Sequence, residues 1–138
     1  MEPYADGELR IDVVRKSADR LSLEWRGRSN AMDPQRTLGP WLTLLLDEAQ
    51  RAKASLELHF ESLEYFNSST VAALLQFVAA ARQLRTPLDL SYDAQLRWQR
   101  QSFEALQVLA TLDRSISVHP AIAAPGEPGA DPATAPRP

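Results

Sequence analysis

Between Leu9 and Val118 the spacing of apolar residues switches repeatedly between two and three-to-four, and this rhythm limits the fold more than any other feature of the chain. Leu9, Ile11 and Val13 alternate with Arg10 and Asp12, the pattern of a half-buried strand. Leu21, Leu23 and Trp25 alternate with Ser22, Glu24 and Arg26 and predict a second strand ending at Gly27. The turn-like link Lys16-Ser17-Ala18-Asp19 predicts that the two pair as a hairpin. Arg28 to Pro40 reads as a loop or an irregular helix start, since Asp33-Pro34 and Gly39-Pro40 each fit a cap followed by a first-turn proline. Trp41, Leu42, Leu45, Leu46, Ala49 and Ala52 then form a helical stripe. Leu56, Leu58 and Phe60 predict a third strand, and Glu61 to Phe66 a turn that carries apolar residues inward. Val71, Leu74, Leu75, Val78 and Ala81 predict a helix to Leu84, stopped at Thr86-Pro87. Leu88, Leu90 and Tyr92 make a fourth strand, Gln95 to Leu112 a third helix, and Ser115 to Val118 a short last strand.

Strands alternating with helices after a hairpin imply right-handed crossovers. The expected fold class is therefore α/β: a sandwich with about five strands in a mostly parallel mixed sheet, an opening hairpin, and three helices mainly on one face. It is not a doubly wound nucleotide fold. Six of the ten prolines fall in residues 120–138, where Ile122 is the only large apolar side chain. Such a segment buries too little to offset its ordering entropy. The expected organisation is one domain over 1–119, its folded unit running from about residue 7, and a disordered Pro/Ala-rich tail over 120–138.

Composition removes whole classes of chemistry. The chain has 138 residues, the size of one domain, and no cysteine, which excludes disulfides and thiolate chemistry. With only His59 and His119, a multi-histidine metal centre is not expected. A net charge of −3 without a basic run argues against nucleic acid as a partner. No apolar run is long enough to span a membrane, and the amino-terminal residues do not read as a signal peptide. The expected setting is the cytoplasm. No glycine-rich phosphate loop, nucleophile elbow or aspartate cluster is present. Glu57, Glu61 and Glu64 read as solvated carboxylates, His59 as an ordinary exposed or partly covered histidine, and the two histidines as distant from each other with no Ser/Asp frame. No catalytic set, metal or cofactor is expected, and the chain does not read as an enzyme.

One segment stands apart. Asn67-Ser68-Ser69-Thr70 lies where a strand and its turn deliver the chain into a helix. Asn67 fits an N-cap whose side chain accepts from an amide two or three residues on. Free amides and the positive end of the helix dipole also suit a phosphate there. A phosphoserine at Ser68 or Ser69 would add about −1.5 to −2 charges and spoil a neutral contact surface without unfolding the domain.

The stretch Leu58-His59-Phe60-Glu61-Ser62-Leu63-Glu64-Tyr65-Phe66-Asn67-Ser68-Ser69-Thr70-Val71 resembles the signature of STAS domains, the family of anti-sigma factor antagonists and sulfate-transporter tails. The usual form is a Leu-Asp-Leu strand, a short turn, then Phe-Met-Asp-Ser-Ser-Gly-Leu opening a helix. Leu96 to Leu106 also resembles the third helix of a STAS-like bacterial regulator branch. The resemblance spans residues 8–118. It implies a non-enzymatic antagonist phosphorylated on Ser68, with Ser69 the runner-up. It further implies a histidine-kinase-like serine kinase or anti-sigma factor as partner, and a metal-dependent serine phosphatase to reverse the mark. The implied partner surface is Tyr65, Phe66, Asn67, Ser68, Ser69, Thr70 and Val71, with the turn at 62–66 and Arg97 and Arg100 as further candidates. Homodimerisation is left open. Asn67 stands for the usual Asp, Thr70 for Gly and His59 for the strand Asp. These departures motivate an alternative, a constitutive protein-interaction or ligand-sensing module without phosphorylation.

Overall fold

The computed structural model describes residues 1–110 and 114–121. The strands are β1 (Tyr4–Asp6), β2 (Leu9–Ser17), β3 (Arg20–Ser29), β4 (Ser55–His59), β5 (Leu63–Phe66), β6 (Leu88–Tyr92) and β7 (Ile116–Pro120). The helices are α1 (Pro34–Ala52), α2 (Ser68–Leu84) and α3 (Arg97–Ala110). One sheet of seven strands runs β1-β2-β3-β4-β6-β7, with β5 paired to β3 off this path. β1, β2 and β3 pair antiparallel, as the hairpin requires, and every other pairing is parallel.

The expected α/β layout holds, with two strands more than expected. β1 precedes the folded unit that the pattern began at residue 7; its three residues are too few to show a period. β5 replaces the expected turn after Glu61. Leu63 and Phe66 are buried while Glu64 and Tyr65 are exposed, so the strand lacks the two-residue alternation that would announce it. A register shift in its pairing with β3 accounts for the broken alternation. Helix α1 starts at Pro34, the earlier of the two proline starts expected over 28–40. Pro40 lies inside it on the exposed side, where the carbonyl it leaves without a partner meets solvent. Leu38, Leu42, Leu45, Leu46 and Ala49 line its buried face.

Even-numbered residues of β4 and β6 face the helices, and odd-numbered ones face the open side of the sheet. Leu56, Leu58, Leu88 and Leu90 are buried in the core against α1 and α2. An aromatic chain links this core to α3. Trp25 and Phe60 lie 4.8 Å apart between ring centroids, Phe60 and Phe103 4.8 Å, and Phe103 stacks on Tyr92 at 5.3 Å. Each such pair contributes about 0.5–1.5 kcal/mol beyond its buried area.

Gly27 is the point where β3 changes partners. Arg20–Glu24 pair with β4, and Gly27–Ser29 with β5. Its φ is +84°, and a Cβ there would sit 1.9 Å from the Glu8 carbonyl oxygen, so only glycine fits. The main strand path begins at β1 and ends at β7; β5, paired to β3 alone, and β2 beyond Ile11 also have an uncovered side. Leu88 N donates to Ser115 O and Ala121 N to Tyr92 O, so odd-numbered residues of β7 face β6 and even-numbered ones face outward. Gln107 Nε2 of α3 donates to the outward carbonyl of Val118 at 3.1 Å. Strand β7 includes Pro120, the first residue of the expected tail. The rest of that tail from 122 onward, and the expected end of the third helix at Leu112, lie outside the described residues.

Candidate functional site

The tetrad opens a helix, as its chemistry predicts. Asn67 is the extended N-cap of α2, and its Oδ1 accepts from Thr70 N at 2.9 Å. The same oxygen accepts from Thr70 Oγ1 at 2.8 Å. Thr70 has thereby spent its hydroxyl hydrogen, so the 2.7 Å contact between Ser29 Oγ and Thr70 Oγ1 is donated by Ser29. Asn67 Nδ2 donates to Ala31 O at 2.8 Å, and Asn67 N to Ser29 O at 3.0 Å. The end of β3, the loop after it and the first turn of α2 are therefore one hydrogen-bonded block. Thr70 is fully buried within it.

This block explains two of the departures from the family signature. An aspartate at 67 could cap the helix but could not donate to Ala31 O. A glycine at 70 would leave Ser29 Oγ without its acceptor. Thr70 and Phe66 are buried, so they act on any contact surface from beneath. Ser68 is exposed and Ser69 half-buried, and neither hydroxyl is hydrogen-bonded among the described residues. Ser68 is the first residue of the helix, with its own amide and that of Ser69 facing outward ahead of the first intrahelical bonds.

The flank of the site is aromatic. Tyr65 is 38% exposed, with the Arg28 guanidinium 5.1 Å from its ring centroid. The Trp98 ring lies 6.5 Å from Tyr65 and 5.1 Å, edge-on, from Phe66. Gln99, the next residue of α3, is fully buried and locks this arrangement. Its Nε2 donates to Phe60 O at 2.7 Å and Leu63 O at 2.9 Å, while its Oε1 accepts from Asp93 N at 2.7 Å. Sequence reading missed Gln99; a buried glutamine within a helical stripe looks like any polar residue until the carbonyls it serves are placed.

The open face of the sheet corrects the reading of the histidines. His59, Ser91 and His119 stand in one row across β4, β6 and β7. Ser91 Oγ donates to Glu61 Oε1 at 3.0 Å and accepts from His59 Nδ1 at 2.8 Å. His59 Nε2 lies 3.3 Å from Glu57 Oε1. His119 Nε2 lies 2.8 Å from Asp89 Oδ1 and its Nδ1 3.0 Å from Pro120 O. Burial lowers the His119 pKa, but the Pro120 carbonyl and the Asp89 carboxylate outweigh it, and the net shift is upward. The histidines thus have Ser and acid neighbours that pairing across strands supplies and spacing along the chain conceals. Glu57 is not a freely solvated acid either, because Arg20 and Lys16 hold it at 3.2 and 3.7 Å. This row does not form an acyl-transfer site. Ser91 is 3% exposed, and its strand is paired on both sides, so its backbone offers no pair of free amides for an oxyanion.

No helix among the described residues is long and apolar enough to cross a membrane. No family model matches the chain, and no curated protein does. Solved structures do resemble it. A chain from the complex of the diguanylate cyclase SiaD with its activator SiaC from Pseudomonas aeruginosa superposes with a TM-score of 0.50 at 21% identity, covering 86% of this chain and 98% of that one. The anti-sigma factor antagonist SpoIIAA in its unphosphorylated form superposes with a TM-score of 0.47 at 12% identity, covering 78% of this chain and 86% of that one. The likeness is one of fold: the chain has a STAS-like α/β architecture, one mixed sheet with its three helices on a single face.

Proposed function

We propose that this domain is a non-enzymatic regulatory binding module resembling an anti-sigma factor antagonist, acting in the cytoplasm of a bacterium and switched by reversible phosphorylation of Ser68. The partner kinase is of the histidine-kinase-like serine kinase class, which doubles as the bound client or anti-sigma factor. A metal-dependent serine phosphatase resets the switch. The observation that carries this reading is the exposed Ser68 hydroxyl at the first position of α2, on a helix start braced by the Asn67–Thr70–Ser29 block. Ser68 is favoured over Ser69 because Ser69 is half-buried. A phosphate at Ser68 meets outward-facing amides and the helix dipole, so the ester is accommodated without unfolding. Its charge of about −2 changes what the surface can bind. The same fold occurs in a complex of an enzyme with its activator, in keeping with a module that works by contact.

Incubation of the full chain with ATP and its cognate histidine-kinase-like ATPase tests the site. Intact mass is expected to show one added phosphate, lost in Ser68→Ala and kept in Ser69→Ala. Unchanged incorporation in the double variant would sink the assignment. Ser68→Asp is expected to lose kinase binding, because a carboxylate at the centre of a contact is costly to desolvate. Undiminished binding would favour the constitutive module.

A further inference from the structure

We infer that the groove between α1 and α2 is a docking site for one amphipathic helix of a partner protein, a helix whose contacting stripe is aliphatic and uncharged. The inference does not depend on the Ser68 switch. The groove has a volume of about 400 Å³, and none of the residues lining it is charged. Buried Leu42, Leu46 and Phe77 form its floor. Gly39 on α1 and Ala73 and Ala80 on α2 keep its walls low. The neutrality extends along both helices. Neither Thr37 to Leu46 nor Ser68 to Ala81 contains a charged residue, although 24% of the chain is charged. Asp33 and Arg36 stand before the run on α1 and Asp47 after it, and the next charge on α2 is Arg82. The open sheet face differs: there Arg26 engages Asp12 and Arg20 engages Glu57, each at 3.2 Å. A charge carried into the groove would lose its water and find no partner, so the occupant's stripe is uncharged.

Gly39 and Pro40 give the groove a purpose beyond the fold. They are the two poorest helix-forming residue types, yet both lie inside α1 and line the groove. A Cβ at Gly39 would meet nothing within 4 Å, so the packing of this domain does not call for glycine there. The missing side chain leaves room for a backbone approaching from outside. Both walls are helical, with their backbone groups bonded internally, and Thr43 spends its hydroxyl hydrogen on Gly39 O at 3.2 Å. An extended segment would find no ladder to join, whereas a helix brings its own hydrogen bonds. Size selects one helix rather than a second copy. The neutral strip is about 20 Å long and about 20 Å across two helices, or about 400 Å². A stable dimer takes about 800 Å² from each copy. The chain's own residues 122–138 hold one large apolar side chain, Ile122, and cannot supply the stripe.

A displayed library of helical peptides of about 18 residues, with an Ala/Glu/Lys frame and one randomised stripe, tests this when panned on the full chain. Enriched stripes are expected to be aliphatic and uncharged. The best peptide is expected to bind Thr43→Glu/Gln76→Glu and Gly39→Leu at least about tenfold more weakly, and Ser68→Asp as well as the parent. Thr43 and Gln76 are exposed and the space at Gly39 is open, so these variants keep the fold, which circular dichroism checks. Charged stripes, affinity indifferent to the groove variants, affinity lost in Ser68→Asp, or no enrichment at all would overturn the inference. Sedimentation of the full chain alone is expected to show a monomer. A dimer that Gly39→Leu dissociates would give the groove to a second copy and overturn it as well.

Discussion

Helices α1 and α2 end in the same way and begin in different ways. Lys53 and Arg85 both adopt left-handed backbone, with φ of 52° and 58°. Ala54 N donates to Ala49 O at 2.8 Å, and Thr86 N donates to Ala81 O at 2.9 Å. Both closures are the Schellman arrangement. The starts share nothing beyond their place at the end of a strand. Asp33 caps α1 in name only, since its side chain makes no cap hydrogen bond and Pro34 simply sets the first turn. Asn67 fixes α2 through both atoms of its amide, and a buried hydroxyl pair backs it. A helix that only needs to cover the sheet can begin loosely. The rigid start belongs to the helix that displays Ser68, which is where a binding surface benefits from a fixed frame.

The largest break of this contrast is Asn67→Ala. It removes a cap and leaves Ala31 O without its donor and the Thr70 hydroxyl hydrogen without its acceptor, so a loss of about 2–4 kcal/mol is expected in urea unfolding. A loss under about 1 kcal/mol would show that the two starts are equivalent. Lys53→Gly and Arg85→Gly sharpen the equality of the ends. Each relieves a left-handed non-glycine residue and is expected to stabilise by about 0.5–1 kcal/mol, by the same amount at both sites. Clearly unequal gains in thermal midpoint would break the likeness. The smallest effect is Asp33→Ala, expected within about 0.5 kcal/mol of the parent in the same urea titration. A cost like that of Asn67→Ala would mean α1 is capped as firmly as α2.

These contrasts also mark how far the chain could be read from its residues. The order of strands and helices was legible because Leu, Val and Ile positions keep strict periods over at least one turn or several alternations. Asn67 as N-cap was legible because capping is local. β1 and β5 were not, being three and four residues long, with β5 broken by a register shift. Two proline starts, at Pro34 and Pro40, left the beginning of α1 open, because an interior proline such as Pro40 is tolerated only by its exposed position. At the site, the exposed Ser68 followed from local chemistry. The Ser29–Thr70 bond joins residues 41 apart, and His59–Ser91 joins residues 32 apart. Contacts of that span depend on sheet register, which no short window contains.

The two rims of the sheet bear on how the protein behaves at high concentration. One rim is β1, three residues that cover Leu9–Ile11, continued by the uncovered outer edge of β2 over 12–17. The other has its outward carbonyl at Val118 taken by Gln107 and ends on Pro120, which has no hydrogen to donate. The open stretch of β2 carries Arg15 and Lys16, and the other rim closes on a proline, so both oppose the zipping of another copy's strand. Copies of this domain crowded together in a cell therefore meet mostly by side chains rather than by backbone, and their encounters stay reversible.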